Sequence, residues 1–254
     1  TVRQPAVAGM FYPAVTSELA RDVGALLAGA ESAARGKPVP KAIIAPHAGY
    51  VYSGAVAATA YARLTPARGK ITRVVLLGPV HRVPVRGLAL PGATVLATPL
   101  GNIPVDGDAV AALSKLPQVT VSPAAHAREH SLEVHLPFLQ TVLEKFSVVP
   151  LAVGDATADE IAQVLDRLWG GTETLIVVSS DLSHYLGYGE AQAIDRATAH
   201  GPAAGCCGDS ALSTALRRSR ARPENSRSSL VPRPAARARS SAARFTRSNT
   251  MPFG

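Results

Sequence analysis

The sequence predicts an α/β fold, a three-layer α/β/α sandwich around a mostly parallel or mixed central sheet. Three observations carry this expectation. The runs KAIIAP, TRVVLLGP and TLIVVSS are apolar throughout, as strands buried on both faces are. Segments with apolar residues at helical spacing separate them, which is the alternation that builds a sheet covered by helices. With 254 residues, 47% of them hydrophobic, the chain can bury a substantial core.

SELARDVGALLAGAESAA, from Ser17, places Leu19, Val23, Leu26 and Leu27 on one helical face. KAIIAP reads as a buried strand, and Ser53 to Leu64 as the helix after it. TRVVLLGP is a second buried strand, and residues 87 to 98, GLALPGATVLAT, suggest shorter strands around a turn at Pro91-Gly92. DGDAVAALSKL, from Asp106, is a short helix with Asp108 suited to its N-cap. LPFLQTVLEKF, from Leu136, is another helix, with Pro137 fitting its first turn, and SVVPLAVG is a strand. TADEIAQVLDRLW carries a capping box, Thr157 with Glu160, and repeats Ile161, Val164, Leu165 and Leu168 at helical spacing. TLIVVSS, from Thr174, is the third strong strand.

The net charge of +8 belongs to one end of the chain. Residues 201 to 254 hold ten Arg, no Lys and two acids, whereas residues 1 to 200 carry 16 basic and 16 acidic side chains. Residues 1 to 200 are therefore expected to form the α/β domain. Residues 201 to 254 are an Arg/Ala/Ser/Pro-rich tail without apolar periodicity, expected to be disordered or translated out of frame. Ten arginines can contact phosphates, but no aromatic interleaving or known module accompanies them, so nucleic acid is not an expected partner. No apolar run approaches the roughly 20 residues of a membrane span, and no secretory h-region opens the chain. Two adjacent cysteines, Cys206 and Cys207, make no disulfide framework. The expected location is the cytoplasm, with no membrane partner.

Chemistry gathers at strand ends. AIIAPH ends in His47, RVVLLGPVH in His81, and TLIVVSSDLSH carries Asp181 and His184. Ligands of open α/β sheets bind beyond the carboxyl ends of strands. If these strands are parallel neighbours, the four side chains converge, and imidazoles with a carboxylate form a ligand set for Zn, Fe, Cu or Ni. EHSLEVHLPF adds Glu129, His130, Glu133 and His135; on a helix Glu129 and Glu133 would share a face. The spacing matches neither H-x-x-E-H nor H-E-x-x-H, which excludes a zinc-peptidase reading. His130, Glu133 and His135 are read as orienting partners of metal ligands or as a polar helix entry. Tyr50, Tyr52 and Tyr185 flank the histidines and offer phenols to a bound oxygen or to packing. His126 and His200 read as surface residues. Phosphate loops, dinucleotide fingerprints and nucleophile elbows are absent.

The motifs AGMFYP, PHAGYVYSG, LLGPVHRVP, TPLGNIPVD, EHSLEVHLPFL and VVSSDLSHY, in this order, closely resemble the Memo family, called in bacteria AmmeMemoRadiSam system protein B. The likeness covers about residues 1 to 196. It implies a fold like that of the class III extradiol dioxygenases, whose non-haem iron opens catechol rings. It implies His47 and His81 as metal ligands, Asp181 and His184 lining the same pocket, and His130, Glu133 and His135 near it; Asp181 and His184 are the expected catalytic pair, and Tyr50, flanking His47, is an expected pocket residue. The family's third ligand is a cysteine in a late Cys-Gly motif. Cys207-Gly208 follows His184 by only 23 residues without the usual flanking pattern.

The function expected from this resemblance is a dioxygenase-like redox protein holding Fe(II) or copper, its substrate unidentified. Two alternatives use the same pocket: a non-catalytic module binding a peptide or small ligand, and a metal chaperone or store. The bacterial family name further implies a functional link to a radical-SAM protein.

Overall fold

The computed structural model describes residues 1–200. The expected tail with Cys207, and the side chain of His200, lie outside the described residues.

Six strands form the main sheet. β2 (Ala42–Ala45), β3 (Arg73–Pro79), β8 (Ser147–Val153) and β9 (Thr174–Ser179) run parallel in the order β2-β9-β3-β8, and β4 (Leu88–Leu90) with β7 (Val119–Val121) extends the sheet beyond β8. β4 runs antiparallel to β8, so the sheet is mixed. A second sheet joins β1 (Val2–Arg3), β5 (Val95–Thr98) and β6 (Gly101–Pro104) in the order β1-β5-β6.

Successive residues of a strand face opposite sides, and here both sides are filled. Val74 and Leu76 of β3 enter a core with α1 (Thr16–Ala34), α2 (Tyr50–Tyr61) and α5 (Leu136–Val142), through Leu19, Tyr61 and Phe138 among others. Val75 and Leu77 enter a second core with α3 (Gly107–Leu113) and α6 (Ala158–Leu168), through Leu113, Ile161 and Leu165. The predicted three layers follow from this division. α4 (Pro123–Ala127) and α7 (Tyr188–His200) complete the helices. The Thr157–Glu160 capping box is formed in both directions.

Several local expectations are corrected. Asp106, not Asp108, caps α3, its carboxylate accepting from Ala109 N. The short strands expected around Pro91-Gly92 form, as β4 and β5, but they belong to different sheets. α2 begins three residues before Ser53, at Tyr50, whose N–H donates to Phe11 O. Residues 129–135 form a turn and a short 3-10 segment (Glu133–His135) instead of a continuous helix, so Glu129 and Glu133 do not share a helical face. β2 lies at the sheet edge, and Ile44 on it is 52% exposed where full burial was expected.

Candidate metal site

The sheet order brings the predicted residues together. β2, β9 and β3 are parallel neighbours, so their carboxyl ends open onto one crevice. His47 leaves β2, His81 leaves β3, and Asp181 with His184 follows β9. A fourth segment, the turn after α4, supplies Glu129 and His130. Nitrogens of His47, His81 and His130 lie within 4.8 Å of one another. Their rings meet at centroid separations of 5.2 Å (His47–His81), 5.5 Å (His47–His130) and 4.5 Å (His81–His130).

Neighbouring groups fix two of the imidazoles. His47, 3% exposed, places Nδ1 2.6 Å from Ser179 Oγ, and that hydroxyl donates its one proton to Ser131 O. His47 Nδ1 must therefore carry the hydrogen, which leaves the Nε2 lone pair free. His81 Nδ1 lies 2.8 Å from Glu129 Oε1; a carboxylate only accepts, so Nε2 of His81 is free as well. Burial, the strongest influence, drives the pKa of His47 down to about 4; Asp181 pulls it back up, and the neighbouring imidazoles push it further down. Burial lowers His130 too, against the charge of Glu129. Neutral imidazoles with free lone pairs are the protonation state a metal requires.

Asp181 anchors the loop beyond β9. Its Oδ1 accepts from the backbone N–H groups of His47 and Ala48, and its Oδ2 stands 3.7 Å from His47 Nε2 and 4.0 Å from His184 Nε2. These last separations are too long for hydrogen bonds. The tautomer of His184 is set instead by Leu182 O, which accepts from Nδ1 at 3.0 Å. Leu182 and Tyr185 of this loop both have positive φ, 64° and 59°, a conformation non-glycine residues seldom adopt. His184 is about half exposed at the rim.

The other predicted residues stand outside this group of three imidazoles. Glu133 faces the N-terminal segment: its carboxylate pairs with Arg3 and accepts from Ala6 N, Val7 N and Tyr12 OH. His135 is buried against Tyr61, whose hydroxyl lies 2.8 Å from its Nδ1, while its Nε2 is buried without a hydrogen-bond partner. Tyr50 donates to Val134 O and packs on Phe138. Tyr52 and Tyr185 are exposed. His126, expected at the surface, is buried, with Nε2 2.8 Å from Ala89 O. A groove of about 850 Å³ between α1, α2 and residues 9–13 is lined by no histidine.

Glu129 is the residue sequence reasoning passed over. Its spacing suggests a helix face shared with Glu133, whereas in the structure it is 1% exposed and hydrogen-bonded to His81. The signal available was its place beside His130, and nothing local linked it to His81, 48 residues earlier.

The donor set fits a transition-metal ion: three imidazoles, two of them with the other ring nitrogen occupied, a carboxylate oxygen close by, and one imidazole, His81, open to solvent. Among the described residues no helix is long and apolar enough to cross a membrane. A model of the family described as Memo-like protein matches residues 3–203. The chain is similar to a MEMO1 family protein of Aquifex aeolicus, 38% identical over 198 residues, covering 76% of this chain and 72% of that one. It is 35% identical to a MEMO1 family protein of Thermotoga neapolitana, covering 72% of this chain and 71% of the relative. A MEMO1 family protein of Nitrosopumilus maritimus is 31% identical, with 72% and 69% covered.

Proposed function

This chain belongs to the Memo-like protein family, and on that basis we propose that it binds Fe(II), with copper as the alternative ion, through His47, His81 and His130, and acts as a dioxygenase-like redox protein. The observation that carries the reading is the convergence of three imidazoles from separate segments, two of them with Nδ1 occupied and Nε2 free. When bound, the ion would supply redox chemistry and open coordination positions for oxygen and a small substrate.

The chain's own residues supply proton handling and shape. His184 Nε2 is free at the rim, because Leu182 holds the opposite nitrogen, and it can take a proton from a substrate hydroxyl. The imidazolium so formed stands 4.0 Å from Asp181 Oδ2, whose charge stabilises it. Asp181 also ties the β9 loop to the start of the His47 segment through its other oxygen. Ser179 keeps His47 in the ligating tautomer.

The test is anaerobic purification of the full chain, metal analysis, and oxygen uptake with a panel of catechols. His47→Ala, His81→Ala and His130→Ala should each lower bound iron and abolish uptake. Unchanged metal content in all three would refute the site. Metal retained by the wild type without oxygen uptake on any catechol would refute the redox role and leave a binding or storage function.

A further inference from the structure

We propose that Glu129 is the positioning residue of this site: it holds His81 in the one tautomer that can bind a metal and fixes the turn carrying His130. The inference rests on the metal-binding reading above and adds a specific agent to it.

The carboxylate is 1% exposed, and its oxygens are directed at four hydrogen donors. Oε2 accepts from His81 N, and Oε1 lies 2.8 Å from His81 Nδ1. Oε1 also accepts from His130 N at 2.9 Å and Ser131 N at 3.0 Å, and it lies 3.3 Å from His130 Nδ1. One side chain thus grips His81 by both backbone and ring while organising its own turn. Ser131 O in turn receives the hydroxyl that sets the tautomer of His47. Arg3 fastens the same turn from behind, donating to His126 O and to Glu129 O at 2.8 Å.

Only a carboxylate satisfies this arrangement. A glutamine has one acceptor oxygen and an amide NH₂, so part of the donor array would face further donors. The relief open to His81 is to move its hydrogen to Nε2 and accept from the amide at Nδ1. That tautomer has no lone pair where the metal would sit. Glu129→Gln should therefore act through His81, with nearly unchanged side-chain volume.

The experiment uses the full chain in two measurements. First, long-range ¹⁵N–¹H correlation spectra of the metal-free wild type, above the histidine titration range, should show His81 hydrogen on Nδ1; hydrogen on Nε2 would overturn the proposal without any variant being needed. Second, Co(II) titrations followed by visible absorption should show Glu129→Gln binding about 10- to 100-fold more weakly than wild type, the range for loss of an orienting partner. Equal Co(II) affinity of folded Glu129→Gln and wild type would refute the role. If the wild type itself fails to bind Co(II), the metal reading falls while the tautomer measurement still decides the positioning claim.

Discussion

Lowering the pH from about 8 to about 5 should remove about 2 kcal/mol of stability through His126 alone. This ring is 4% exposed. Burial, the dominant cause, drives its pKa to about 4; the hydrogen bond to Ala89 O pulls upward, and the Arg3 guanidinium pushes down. In the unfolded chain the group titrates near its ordinary value of about 6.5. The folded pKa is depressed, so the contribution is complete above about pH 6.5 and is lost as pH falls toward about 4, because the unfolded state takes the proton first. At about pH 5 the unfolded ring has bound its proton and the folded ring has not. A gap of about 1.5 units at about 1.4 kcal/mol each gives the stated magnitude. His47, depressed to about 4, and His135, to about 3, both chiefly by burial, add losses in the same direction. The assay must isolate His126. Urea unfolding of wild type and His126→Gln at both pH values gives a double difference, since glutamine can keep the bond to Ala89 O without titrating. A wild type that loses no more stability than His126→Gln, within about 0.5 kcal/mol, would refute the reasoning.

Glu133→Ala removes the acceptor shared by Arg3, Ala6 N, Val7 N and Tyr12 OH, leaving a largely buried guanidinium with carbonyl partners but no counter-charge. It should destabilise the fold by about 3–5 kcal/mol in guanidinium unfolding. Gly78→Ala would set a Cβ 2.8 Å from Ser131 Oγ, 2.9 Å from Leu132 Cδ2 and 3.1 Å from Ser179 Cβ, pressing on the serine whose hydroxyl holds His47. Calorimetry should show Co(II) affinity reduced at least about tenfold, as for a lost orienting contact. Thr157→Ala breaks the reciprocal cap of α6 and should cost about 1 kcal/mol in thermal unfolding, with no effect on metal binding.

Much of the layered architecture was legible because burial on both faces leaves an unbroken apolar run, and TRVVLLGP and TLIVVSS are such runs. The convergence of His47, His81 and Asp181 was legible for the same reason: strand ends of a parallel sheet share an edge. What the chain could not announce was strand order. Ile44 looks like any core isoleucine until β2 proves to be an edge strand. The turn at Pro91-Gly92 marks two short strands but not that β4 and β5 find partners in different sheets. The division of labour in EHSLEVHLPF was hidden because it depends on distant partners. Glu129 meets His81, and Glu133 meets an N-terminal segment more than 120 residues away. A carboxylate's neighbours in space decide whether it serves a site or a scaffold, and spacing along the chain does not report them.

His47, His81 and His130 stand 34 and 49 positions apart. An extended chain cannot present them to one cation, so a captured ion works as a three-way clasp on the finished fold. Its hold and the fold's persistence are then one equilibrium. Loading to about 100 times the dissociation constant would add about 2.7 kcal/mol of resistance to heat, and a chelator would take it away. A melting curve run with and without chelator thus weighs the ion's grip with no substrate in hand.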